Sequence, residues 1–309
     1  MSENIKDAVR KGYGAVAKAG LSSQQDGIKS IANAFGYSDE ELSSIPAAAN
    51  MGLSCGNPVA MASIREGETV VDLGAGGGLD VFLSSKKVGP TGRAIGIDMT
   101  GDMISLARAN ADKGGYENVK FYLAEIEAMP LPDNSVDCVI SNCVLNLCTD
   151  KDAALKEIYR VLKPGGRLAI SDIALRKELP ATVAQEVAAW TGCIAGALTM
   201  SDNRDKLNAA GFGQVDIQDA HSDLNAYRDG GSAACCGPET PEETDAGCCA
   251  PAAEKPAEVA ESSCCGSEPK QEPVAAGEPE YHDTMGQLLD TFDVNEYAAS
   301  VKIFAIKPT

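Results

Sequence analysis

A doubly wound α/β fold is predicted by three observations. Short β-branched runs alternate with helical patterns from Thr69 to Asp172, a glycine-rich turn follows the first run, and an acidic residue closes the second. The runs TVVDLG, RAIGID, VKFYLAE, SVDCVISN and RLAISDI read as five strands. Between them LDVFLSSKKV, DMISLARANADK and KDAALKEIYRVLK carry apolar residues at three- and four-residue spacing, as crossover helices do. Further helical patterns lie near Ala181 to Ala195 and Asp202 to Ala210, and GQVDIQDA reads as a sixth strand. Ligands of such sheets bind outside the carboxyl ends of the strands.

From about Asp229 to Glu280 the pattern stops, in a stretch of Gly, Pro, Ala and Glu that contains CCGPET, CCAPAA and CCGSEP. Order resumes with a helical MGQLLDTFDVNEYAAS and a last strand, VKIFAIKP. The expected organisation is therefore an N-terminal helical segment closing over the site (1–68), a ligand-binding core (69–228), a disordered acidic insertion with cysteine pairs (229–280), and a helix and last strand that complete the core (281–309).

The 309 residues carry a formal net charge of -19, which argues against nucleic acid or an anionic membrane surface as partner, because phosphates are bound by concentrated Lys and Arg. Part of that excess belongs to the acidic insertion. No stretch approaches the roughly 20 apolar residues of a membrane span, and MSENIKDAVRKGYG lacks the apolar region of a signal peptide, so a soluble cytoplasmic protein is expected. In that reducing compartment the eleven Cys are not expected to be a disulfide framework, and metal, metalloid or redox chemistry becomes their leading explanation.

Asp72, Gly74, Gly76 and Gly78 follow the order D-x-G-x-G-x-G at a strand-to-helix turn, where glycine lets the backbone turn tightly and a ligand approach closely. A dinucleotide fingerprint would have Gly where Leu79 stands, and no phosphate-binding Lys follows, which disfavours NAD and ATP. Asp98, ending the second strand, is placed to accept the hydroxyl protons of a ribose, or else caps the next helix. Met99 is placed to pack on an adenine face, and Glu125 and Ile126 in AEIEAMP face the adenine edge. Asn142, at the end of the fourth strand, completes the candidate cofactor-binding set. Together these signals predict an S-adenosylmethionine site on a seven-stranded sheet.

The segments VRKGYGAVA, AANMGLSCGNPVAMASIREGETVVDLGAGGGLD, DNSVDCVISNCVLNL, LKPGGRLAISDI, WTGCIAGAL and NEYAASVKIFAIKP resemble the arsenite S-adenosylmethionine methyltransferases, over nearly the whole chain except the insertion. The resemblance implies a Rossmann-like class I methyltransferase that moves methyl groups from S-adenosylmethionine to arsenite or methylarsenite, with a glutathione- or thioredoxin-type thiol reductant. It also implies that trivalent arsenic is held by Cys55 in SCGNP, Cys143 in SNCVLN and Cys193 in TGCIAG. Eukaryotic members carry a fourth, more N-terminal cysteine for disulfide relay, and this chain has none before Cys55. The pairs Cys235–Cys236, Cys248–Cys249 and Cys264–Cys265 are candidates for accessory arsenic capture.

Soft thiolates suit trivalent arsenic better than carboxylate or imidazole. Attack by its lone pair on a methyl group needs alignment and no general base, which fits the scarcity of His. His221 and His282 lie in late polar segments and are given no catalytic role. Cys138, inside the fourth strand, is expected to be a buried hydrophobe, and Cys148, in NLCTD, to lie near a helix start at Thr149 or Asp150. Two other functions remain open: a quinone- or sterol-type C-methyltransferase, which leaves the thiols unexplained, and a non-catalytic thiol-rich metalloid-binding protein, against which the intact glycine loop and Asp98 speak.

Overall fold

The computed structural model describes residues 2–179, 194, 196–226 and 293–309. Four helices precede the sheet: α1 (Ser2–Lys18), α2 (Asp26–Ala34), α3 (Asp39–Ser43) and α4 (Pro58–Met61). The alternating part runs β1 (Thr69–Leu73), α5 (Leu79–Val88), β2 (Arg93–Asp98), α6 (Gly101–Gly114), β3 (Val119–Leu123), β4 (Val136–Asn142), α7 (Lys151–Val161) and β5 (Leu162–Leu175). It closes with α8 (Met200–Ala209), β6 (Gly213–Asp219) and β7 (Ala298–Ile306).

The seven strands lie in the order β3-β2-β1-β4-β5-β7-β6. Strands β1 to β5 are parallel, and β7 inserts antiparallel to both β5 and β6. Consecutive apolar residues in the strands reflect burial on both faces. Val71 and Leu73 of β1 pack with Ala154, Leu155 and Ile158 of α7. Val70, one residue away and so on the opposite face, packs with Val81 and Phe82 of α5 and Ala107 of α6. Local signals set the helix starts: Asp150 accepts the Ala153 N–H at 2.9 Å to cap α7, and Ser38 and Glu41 form a capping box on α3.

One sequence expectation is corrected. NEYAAS is not helical: residues Val294–Glu296 form a 3-10 turn and Ala298–Ser300 already belong to β7. The entry of β7 between β5 and β6 makes the seven-stranded sheet mixed. The expected helix around Ala181, the insertion 229–280 with its three cysteine pairs, and the positions Cys193 and His282 lie outside the described residues. Among the described residues no helix is long and apolar enough to cross a membrane.

The chain on either side of the undescribed stretch 227–292 is clasped. Asn295 Oδ1 accepts the Leu224 N–H at 3.1 Å, and Asn295 Nδ2 donates to Asp223 Oδ1 at 2.7 Å. Leu224 and Val294 are buried in the same cluster as Cys55 and Cys143.

Ile158 is fully buried between α7 and the sheet. Ile158→Ala should destabilise the fold by about 2–5 kcal/mol through lost transfer energy and a residual cavity. Urea unfolding measures this, and a shift too small to resolve would mean that α7 does not pack on this face.

Candidate active site

The glycine turn and the segments at the carboxyl ends of β2, β3 and β4 line a cleft. It opens where the strand order reverses between β1 and β4. Helix α1 forms the facing wall with Lys6, Val9 and Tyr13.

The four D-x-G-x-G-x-G residues take different tasks. Gly74 and Gly76 line the cleft, both at positive φ (68° and 50°). A Cβ on Gly74 would stand 2.3 Å from Val144 Cγ2, so only glycine lets the chain after β4 lie this close. Gly78 does not line the cleft; it starts α5 at φ 98°, and a Cβ there would stand 2.6 Å from the Phe82 ring. Asp72 is buried away from the lining, and burial raises its carboxyl above the usual range, with the charges of Asp80 and Asp98 acting in the same sense. These two residues therefore lie behind the turn, outside the cleft lining.

Asp98 does not cap α6, whose N-cap is Thr100 without a side-chain cap bond; its carboxylate holds the backbone on two sides. Oδ2 accepts the Gly76 N–H at 3.0 Å and Oδ1 accepts the Thr100 N–H at 2.8 Å, which ties the glycine turn to the start of α6. The carboxylate also lines the cleft, and each oxygen keeps acceptor capacity for a hydroxyl. Met99 and Ile126 line the same wall. Glu125 lines it too, but its oxygens are engaged by Lys6 Nζ and Arg10 Nη2, each at 2.6 Å, and Lys6 holds the carboxyl below its usual range. Glu125 thus tethers α1 across the mouth. A carboxylate with remaining acceptor capacity, an apolar wall and glycines where side chains would intrude fit the adenosine part of S-adenosylmethionine.

Cys143 follows β4 in a left-handed conformation, φ 55°, which a non-glycine residue adopts at an energetic cost and which recurs at functional sites. It lines the cleft. Cys55, carried by the loop before α4, pairs with it as a disulfide, Cα to Cα 5.8 Å. A disulfide was not expected, and it joins two of the three thiols singled out for arsenic. Asn142, expected at the cofactor, reaches the cleft but spends its amide elsewhere: Oδ1 accepts the Cys55 N–H at 3.0 Å, and Nδ2 donates to the Gly56 carbonyl and the Tyr37 hydroxyl, both at 2.8 Å.

Cys138 is buried within β4 as expected, whereas Cys148 also lines the cleft. Burial pushes both thiols up to about 12, which disfavours the thiolate. His221 is exposed, consistent with no part in the site. Sequence reasoning missed two anchors. Asp80 accepts from Tyr37 at 2.8 Å, and Asp172 accepts from the Asn146 side chain at 2.9 Å and the Ile173 N–H at 2.8 Å, holding the chain after Cys143. Asp80 stood in view directly after the glycines; Tyr37 and Asp172 carried no local signal.

A parallel-led seven-stranded sheet with a glycine turn after β1 and an acidic end to β2 defines the Rossmann-like fold of class I S-adenosylmethionine-dependent methyltransferases. Residues 64–220 match the methyltransferase domain family, about half of the chain, and the chain belongs to it. It is 43% identical over 230 residues to an arsenite methyltransferase of Halobacterium salinarum, covering 70% of this chain and 59% of that one. Arsenite methyltransferases of Aquipseudomonas alcaligenes, Mus musculus and Homo sapiens are 36–39% identical, with less than half of their length covered. An arsenic(III) S-adenosylmethionine methyltransferase from Chlamydomonas reinhardtii superposes with a TM-score of 0.52 at 27% identity, over 91% of this chain and 73% of that one. A ubiquinone/menaquinone C-methyltransferase of an Enterobacter strain is 40% identical, but over only 36% of this chain and 45% of its own.

Asp98→Ala should weaken S-adenosylmethionine binding by on the order of 1.5–3 kcal/mol for each ribose hydrogen bond lost. Calorimetric titration reads this directly, and unchanged affinity would leave Asp98 as a tie between turn and helix alone.

Burial raises Asp80 to about 6 and Asp172 to about 7, against a model-compound value of 3.8. Both folded-state groups bind protons more tightly than the unfolded chain, so their contribution to stability is full below about pH 4 and is lost as pH rises through 6 and 7. Melting temperature should therefore decline between pH 5 and 7.5, and Asp172→Asn should flatten that decline. A variant profile parallel to that of the parent would show that Asp172 does not titrate in this window.

Proposed function

We propose that the chain is an arsenite methyltransferase that holds trivalent arsenic on Cys55, Cys143 and Cys193 beside bound S-adenosylmethionine, in the service of arsenic detoxification. The observation that carries this reading is the meeting of Cys55, from a segment 88 residues away, with Cys143, which lines the wall of the cofactor cleft. The similarity to arsenite methyltransferases over 70% of the chain supports it. Cys193, the third ligand, lies outside the described residues.

Asp98 would hold the ribose, and Met99 and Ile126 the adenine. When bound, S-adenosylmethionine supplies a methyl group on a sulfonium, an electrophile for a soft lone pair. The chain's own task is alignment: Cys143 presents its sulfur from the cleft wall, Cys55 closes the second coordination position, and the arsenic lone pair is left facing inward. No proton has to be removed, so the absence of a histidine from the described cleft lining costs nothing. The Cys55–Cys143 disulfide must be opened before arsenic can bind, which calls for a thiol reductant of the glutathione or thioredoxin type. Quinone methylation gives the thiol pair no task, and the corresponding similarity covers about a third of the chain.

Incubation with arsenite, S-adenosylmethionine and glutathione, followed by arsenic speciation, should yield methylated arsenic. Cys143→Ser and Cys193→Ser should each lower the rate by more than about 100-fold, the upper range for losing even a supporting group around a bound metal, with cofactor binding retained. Cys55→Ser should do the same for arsenite but be milder on methylarsenite, which has one fewer open coordination position. Full activity in the Cys143 variant would overturn the assignment.

A further inference from the structure

Cys143 immediately follows Asn142 in the chain, whereas Cys55 arrives on the loop before α4. The Asn142 side chain connects that loop to β4. Its Oδ1 accepts the N–H of Cys55, and its Nδ2 donates to the carbonyl of Gly56, so one planar amide engages the backbone on both sides of the Cys55–Gly56 link. The amide is held in turn: Tyr37 Oη accepts from Nδ2 at 2.8 Å and donates to Asp80 Oδ1 at 2.8 Å, with Asp80 Oδ2 at 3.3 Å from Nδ2. Tyr37 and Asp80 are almost wholly buried, the former ahead of α3 and the latter in the first turn of α5. On the far side Ser300 Oγ of β7 donates to the Cys55 carbonyl at 2.7 Å.

From this geometry we infer that Asn142, locked by Tyr37 and Asp80, is a positioning residue that sets the distance between the Cys55 and Cys143 sulfurs. A planar side chain with one acceptor and two donors suits the task, because it can take an N–H and give to a carbonyl of the same short segment. Buried networks of this kind rigidify what they hold when every member is satisfied. The consequence for catalysis rests on the arsenic reading above: a fixed pair would meet a trivalent centre with its ordering already complete, as preorganised sites do. The clamp itself makes a claim about the two thiols that needs no arsenic.

The test uses the full chain and glutathione alone. Exchange of the pair is balanced: two glutathione thiols reduce the Cys55–Cys143 bond to two protein thiols and leave one glutathione disulfide. Equilibrating the protein over a series of glutathione ratios, trapping thiols with acid and an alkylating agent, and mapping the peptides of Cys55 and Cys143 gives the equilibrium constant for this pair. Releasing the clamp lowers the effective concentration of one thiol at the other. Asn142→Ala should therefore shift that constant toward the reduced form by about tenfold, roughly 30 mV, and Tyr37→Phe should shift it in the same direction by less. An unchanged constant in both variants would overturn the inference, whatever happens to the melting temperature, since a purely structural role moves stability and not this ratio. Should Asn142→Ala fail to fold, Tyr37→Phe alone decides, and an unshifted constant there overturns the lock. Separately, arsenite added to the reduced parent protein should protect Cys55 and Cys143 from alkylation. Failure there would overturn the arsenic reading while leaving the clamp to stand on its own constant.

Discussion

Crossover connections carry the chain from β1 outward to β2 and β3, and then back across to β4 and β5 on the other side. The carboxyl ends of β1 and β4 are thereby neighbours, and among the described residues a cleft opens beside them. The candidate active site uses that gap. The glycine turn sits at one lip and Cys143 at the other, while Asp98 bridges from the next strand. Gly74 shows how closely the lips meet, because the side chain of Val144 occupies the volume any Cβ would need.

The sheet was legible because its central strands β1, β2, β4 and β5 are largely buried and all are bounded by turn chemistry. RAIGID and LDVFLSSKKV match β2 and α5 residue for residue, and Asp150 was one of two residues proposed as the cap of α7. The antiparallel entry of β7 was not legible, since pairing partners of a final strand are decided by the sheet edges available and not by its own sequence. NEYAAS failed for a related reason: its apolar spacing is compatible with a helix, and only the ladder to β5 selects extended backbone for Ala298 to Ser300.

The candidate site divides in the same way. Asp98, Met99, Ile126 and Cys143 could be placed because each follows a recognisable strand, and a strand end points its residues at the cleft. Glu125 and Asn142 reach the right place with their polar groups already engaged by Lys6 and Arg10 in one case and the Cys55 loop in the other. Their partners are 115 to 119 residues away for Glu125 and 86 to 87 for Asn142, and no local pattern announces contacts at such separations. Tyr37, Asp80 and Asp172 belong to the same class of long-range support.

Seen as topology, β6 and β7 are the two arms of a hairpin, pairing from Gly213 with Ile306 to Asp219 with Val301. A tight turn ordinarily fixes the register of such arms, and a slip of one residue would exchange their inner and outer faces. Here the arms are joined through residues 227–292, and the bond pair from Asn295 to Asp223 and Leu224 does the work of the missing turn. Registration of the sheet edge is thereby uncoupled from the length and composition of the chain beyond the clasp. The consequence is a natural splice point: segments can be exchanged there, or new termini opened for a circular permutant, while β7 still finds its place between β5 and β6.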